Sequence, residues 1–192
     1  MGVEHRPPSD GRPPVEIHRS HRRRRGAAAR PRDGVVVVRL PAGLPGAEEE
    51  RLIAHLVDKV TGRMRAEALG GDEALRARAD QLADRYLDGV RATSVTWSGR
   101  MTRLLGSCTP AHGTIRIARE VAAFPAWVRD YVLVHELAHL LVADHSAAFH
   151  ELLARYPHTE RARGWVEGYH AGRLAARADQ PSSGSSSSVS GS

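Results

Sequence analysis

Hydrophobic and polar residues alternate along this chain in segments of changing period. Gly34-Val-Val-Val-Val-Arg-Leu is a β-branched run closed by Pro41, which predicts a strand. From Ala47 to about Ala68 the period becomes helical. Leu52, Ile53, Leu56, Val57 and Val60 form one face, and Glu48, Glu49 and Glu50 stand in the first turn, where acids suit the helix dipole. Gly70-Gly71 interrupts this helix, and Asp72 is placed to cap a second one through Tyr86 and Leu87.

After Ser94 the runs shorten. Ser94–Ser98 and Arg100–Leu105 predict two strands around Ser98-Gly99, and Gly113–Ile117 a third after Thr109-Pro-Ala-His-Gly. Pro125 opens a long apolar helix beginning at Ala126-Trp127. Helices over Ala147–Arg155 and about Glu160–Arg177 follow, the last carrying Trp165, Val166, Tyr169 and Leu174 towards the core.

The apolar helix contains the chemistry. Residues 135–145 read HELAHLLVADH. His135 and His139 are four apart, hence roughly 40° apart on a helix and one turn from each other. Two imidazoles so placed can bind one zinc ion, and the carboxylate of Glu136 beside them can reach a water on it. Two histidines and a glutamate in an apolar run are costly to bury without such partners. His145 lies six residues beyond His139. An unbroken helix would turn it roughly 240° away from the metal face, so the chain must leave helical geometry near Val142–Asp144 for His145 to join. Asp144-His145-Ser146 reads as that turn.

Charge and composition bound the rest. Residues 1–33 contain HRRRRGAAARPRD and several prolines, and residues 181–192 read PSSGSSSSVSGS. Both ends predict disorder, 1–33 as a basic arm and 179–192 as a Ser/Gly-rich tail, leaving one domain over 34–178. Much of the formal charge of +6 sits at Arg19, Arg22, Arg23, Arg24, Arg25, Arg30 and Arg32. Such an arm is either a solvated tail or a contact for nucleic acid or another anionic surface. Cys108 is the lone cysteine, which excludes an internal disulfide and a cysteine-based zinc knuckle and suits a reducing compartment. The sequence has neither a run of membrane-spanning length nor the apolar core of a secretory signal, so a cytoplasmic protein is expected.

Gly106-Ser-Cys108, DYVLVHELAHL at Asp130–Leu140 and DHSAAF at Asp144–Phe149 resemble the YgjP-like metallopeptidases, the SprT-related minimal zincins described as metal-dependent hydrolases. The resemblance covers roughly residues 94–157. It implies an α+β zincin-like fold with a small antiparallel sheet against the HExxH helix, zinc on His135, His139 and His145, and Glu136 as base. Leu105 replaces the family's usual tryptophan, Ala118 an asparagine and His150 an aromatic residue; all three changes concern the cleft. Val142 occupies the glycine position of the HExxHxxGxxH motif, which sets the chain apart from metzincins.

Three neutral nitrogen ligands leave zinc one open position for water, so the expected reaction is hydrolysis of a peptide bond with Glu136 as proton acceptor. Phosphoanhydride hydrolysis of a nucleotide is the alternative reaction. A nucleic-acid-associated binding protein, or a DNA-linked protease delivered by the basic arm, is the alternative class. Tyr169, His150, His112 and Arg103 are candidate oxyanion donors. Asp130 is either a support for a ligand or a surface acid. Glu160 and Glu167 are the rivals of His145 for the third ligand position.

Overall fold

The structure is a computed structural model that describes residues 3–9, 11–22 and 26–178, with side chains as far as residue 175. Its N-terminal part is a four-stranded sheet of order β1-β2-β4-β3, built from β1 (Val3–Arg6), β2 (Val15–Ser20), β3 (Ala28–Arg32) and β4 (Val35–Pro41). The two inner strands, β2 and β4, run parallel, and β1 and β3 flank them antiparallel. Alternation puts Val15 and Ile17 of β2 and Val36, Val38 and Leu40 of β4 on one face, all buried. Helix α1 (Gly46–Ala68) covers that face with Ile53 and Val57. At its margin Arg6 makes a bidentate pair with Glu50 at 2.7 and 2.6 Å, and Arg19 reaches Glu49 at 2.6 Å.

The described residues of 1–33 therefore correct the expectation of a disordered arm. Val36 and Val38 of β4 need apolar cover, and β2 supplies Val15 and Ile17 in register with them on the same face. The β3–β4 connection is Asp33-Gly34, both at positive φ (49° and 80°), the backbone that a two-residue hairpin requires. Residues 179–192 of the expected tail lie outside the described residues.

Helix α2 (Gly71–Tyr86) follows a left-handed Gly70. Asp72 does not cap it. Its Oδ1 accepts the Trp97 backbone N–H at 2.8 Å, which ties the start of α2 to strand β5 (Ser94–Ser98). The second sheet has order β5-β7-β6, with β6 at Gly106–Thr109 and β7 at Thr114–Ala118. The expected strand at Arg100–Leu105 is a loop, and no Ser98-Gly99 hairpin forms. β5 instead pairs in parallel with β7, and β6 pairs antiparallel with β7. The α+β class holds, with a mixed sheet rather than a purely antiparallel one.

Helix α3 (Ala126–Ala138) lies between this sheet and the C-terminal helices α4 (Ala147–Ala154) and α5 (Thr159–Ala178). Pro125 stands at its N-cap, and Val128, Leu133, Val134 and Leu137 are buried. Arg78 of α2 holds Asp130 of α3 through two hydrogen bonds of 2.9 and 2.6 Å, so this acid secures helix packing rather than a metal ligand. Trp97 is buried and Trp127 and Trp165 are packed on the core, as expected, whereas Leu174 is 66 % exposed and points away from it. No helix among the described residues is long and apolar enough to cross a membrane.

Candidate active site

Helix α3 stops one residue before its second histidine. Leu140 and Leu141 donate to the carbonyls of Leu137 and Ala138, and these tight bonds close the helix at His139. The chain then turns through 143–146, where the Asp144 carboxylate accepts the Ser146 N–H at 3.4 Å. The departure from helix expected near Val142–Asp144 thus begins about one turn earlier, and it brings His145 back over α3.

His135, His139 and His145 converge. One ring nitrogen from each lies within 4.8 Å of the other two, and Nε2 of His135 and of His145 are 3.3 Å apart. A tetrahedral ion with metal–nitrogen bonds of about 2.0–2.1 Å separates its nitrogens by about 3.3 Å, so the pair has the spacing of two ligands of one ion. The Nδ1 of His139 lies 3.3 Å from the Val142 carbonyl; a proton there leaves Nε2 free to coordinate. The donor set fits a divalent metal.

Phe149 of α4, fully buried, backs all three rings. It stacks on His139 with centroids 4.5 Å apart and meets His135 and His145 edge-on at 5.0 and 4.8 Å. Burial together with the neighbouring histidines pushes the His135 imidazole down to about 4, which keeps it neutral as a ligand must be. Burial also lowers His139.

Glu136 is 7 % exposed, and desolvation alone raises its carboxyl to about 7. Its side chain rests on the backbone of Gly106 at the start of β6, so close that a Cβ on that glycine would stand 2.6 Å from the Glu136 Cγ. Beside His135 and Glu136 opens a cleft of about 200 Å³, lined by Leu105, Gly106, Tyr131, Val132, Val166 and His170. Tyr131, Val132 and His170 were not singled out by the sequence. Val166 and His170 are one turn apart on α5, and that spacing was the available signal.

The remaining candidates separate. The Tyr169 hydroxyl donates to Glu120 at 3.2 Å, outside the cleft. His112 and Arg103 are exposed in the β6–β7 turn and the β5–β6 loop. His150 is exposed next to Phe149, near enough for its charge to bear on His135. Glu160 and Glu167 pair with Arg163 and join no metal-sized cluster among the described residues. Cys108 lies on β6, its thiol raised to about 11 by burial and by Glu136, which is a structural residue's chemistry rather than a nucleophile's.

No curated protein matches the chain at significant similarity. A crystal structure of the metallopeptidase zymogen of Pyrococcus abyssi, abylysin, is similar over 46 % of this chain and 84 % of its own, with 24 % identity and a TM-score of 0.41. The family model for the YgjP-like metallopeptidase domain matches residues 65–169, more than half of the chain and all of α2, the second sheet, the histidine triad and α4. The chain belongs to the YgjP-like metallopeptidase family and is a metal-dependent hydrolase.

Proposed function

We propose that the site is a zinc peptidase centre in which His135, His139 and His145 hold the ion and Glu136 is the general base. The all-nitrogen donor set suits zinc, which when bound polarises the scissile carbonyl and lowers the pKa of the attacking water. Glu136 takes the proton from that water. Burial raises this carboxyl in the metal-free site, and from its place beside the triad it can accept a proton and return it to the leaving amine. Gly106 backs the Glu136 carboxylate at close range, and the buried Leu105 lines the cleft beside it. His170 and Tyr131 face the cleft and are the polar groups placed to meet substrate there, while Val132, Val166 and Leu105 suit an apolar side chain.

The observation that carries this reading is the buried Glu136 beside a convergent histidine triad. A structural metal site has no use for that carboxylate. The cleft lining contains neither arginine nor lysine to receive phosphate, which favours a peptide over a phosphoanhydride. The test is a hydrolysis screen with zinc-loaded protein against mixed peptides and nucleotides, beside Glu136→Gln. Peptide cleavage that falls by several orders of magnitude in the variant, with zinc retained, is the expected result. An undiminished rate in the variant, or cleavage of nucleotides alone, overturns the proposal.

A further inference from the structure

The chain's surplus of positive charge is confined to one part of it. Residues 1–41 contain ten arginines and four acids, a surplus of +6 that equals the formal charge of the whole protein, so residues 42–192 balance. Three of these arginines are spent on α1, where Arg6, Arg12 and Arg19 pair with Glu50, Asp58 and Glu49. The register of the N-terminal sheet sends others the opposite way. Arg30 pairs with Val37 and Arg32 with Val35, and Arg39 follows two residues after Val37. Because Val36, Val38 and Leu40 face the core, Arg30, Arg32 and Arg39 share the outer face, joined by His18, the register partner of Arg39.

These side chains border a recess of about 350 Å³ that also holds Glu16 and Val37. Glu16 is hydrogen-bonded to His18. Arg30 and Arg39 have no carboxylate partner among the described residues, and Arg32 has only the exposed Asp33 at 3.5 Å.

We propose that this outer face binds the phosphodiester backbone of nucleic acid without reading its bases. Guanidinium groups present planar donor forks that match phosphate oxygens, and Arg30 and Arg32 stand about 7 Å apart along one strand, free to take separate phosphates. Residues 1–41 contain no phenylalanine, tyrosine, tryptophan, asparagine or glutamine, so the face has neither a large stacking ring nor the bidentate amide that recognises adenine. An anionic membrane fits less well, because Val3 is the one exposed large apolar side chain of this sheet and the face has no anchor to insert. Strand addition by an acidic peptide fits less well too, since the open edge strand β3 contains Pro31, which lacks a donor. This proposal is independent of the peptidase reading.

The test measures anisotropy of fluorescent duplex and single-stranded DNA of unrelated sequences with the full chain, from about 50 to 200 mM salt. The triple variant R30Q/R32Q/R39Q is compared with R51Q/R76Q/R116Q, which removes the same charge from exposed arginines outside the N-terminal sheet. The wild type is expected to bind all sequences alike, with a steep salt dependence. The sheet variant should lose at least about tenfold in affinity at the low-salt end and flatten the slope on duplex by about two to three, at about 0.9 per phosphate released. Circular dichroism checks the fold; should the triple variant misfold, the three single variants carry the test, each flattening the slope by about one. Absence of salt-dependent binding by the wild type, or equal losses in both triple variants, overturns the proposal. So does binding to vesicles of anionic lipid in place of DNA.

Discussion

Glu136 lies against the backbone of Gly106, with no room for a side chain between the HExxH helix and strand β6. A Cβ on Gly106 would come within 2.7 Å of the Glu136 Cδ as well as 2.6 Å of its Cγ. Gly106→Ala must therefore displace the carboxylate from its present position. The expected outcome is a loss of about a hundredfold in peptide hydrolysis from misplacement of the base, with zinc content unchanged. Overpacking should cost about 1–3 kcal/mol of stability, readable by denaturant titration. A variant with the wild-type rate would show that Glu136 needs no support from β6.

Phe149 contacts all three imidazoles from a fully buried position. Phe149→Ala opens a cavity behind the ligands and should cost about 3–5 kcal/mol. Phe149→Leu keeps most of the volume but removes the flat surface on which His139 stacks. Its zinc affinity, measured by competition with a chelator, is expected to fall about ten- to a hundredfold while the fold survives. Wild-type affinity in the leucine variant would mean that the histidines are oriented without the ring.

The metal-free protein should respond to pH with two opposing contributions. Glu136 is raised from 4.5 to about 7, so the stability it contributes is full below 4.5 and lost as pH rises through 7. His135 is lowered from 6.5 to about 4, so its effect has the other sign: stability falls as pH drops from 6.5 through 4. Between about 4.5 and 6.5 the two offset each other. Glu136→Gln removes the first and leaves the second. Without metal it should be more stable than the wild type near pH 8, by on the order of 3 kcal/mol, and similar to it near pH 4.5. Thermal melts in chelator across this range check the prediction, and a variant no more stable than wild type near pH 8 contradicts it.

The site was more legible in the sequence than the fold around it. His135, Glu136 and His139 follow from helical spacing, and the need for His145 to leave the helix follows from the same geometry. What sequence periodicity cannot write is pairing between distant strands. Ser94–Ser98 read as half of a hairpin because Ser98-Gly99 follows it, yet its partner is Thr114–Ala118 in parallel. The N-terminal sheet was hidden by its arginines: β2 offers only Val15 and Ile17 to the core, too short an alternation to stand out. A local signal did exist there in Asp33-Gly34, a hairpin turn directly before the valine run. His170 had only its one-turn spacing from Val166 to mark it. It projects from a helix whose placement over the cleft is set by tertiary packing alone.

Metal content tests the central claim most directly. Wild-type protein, purified and dialysed against buffer with trace zinc, should carry about one zinc per chain by mass spectrometry. Glu136→Gln, Glu160→Ala and Glu167→Ala should keep it, whereas His135→Ala, His139→Ala and His145→Ala should each lose most of it while remaining folded by circular dichroism. Full occupancy in His145→Ala, or loss of zinc in Glu136→Gln, would contradict the assignment of three histidine ligands and a free glutamate base.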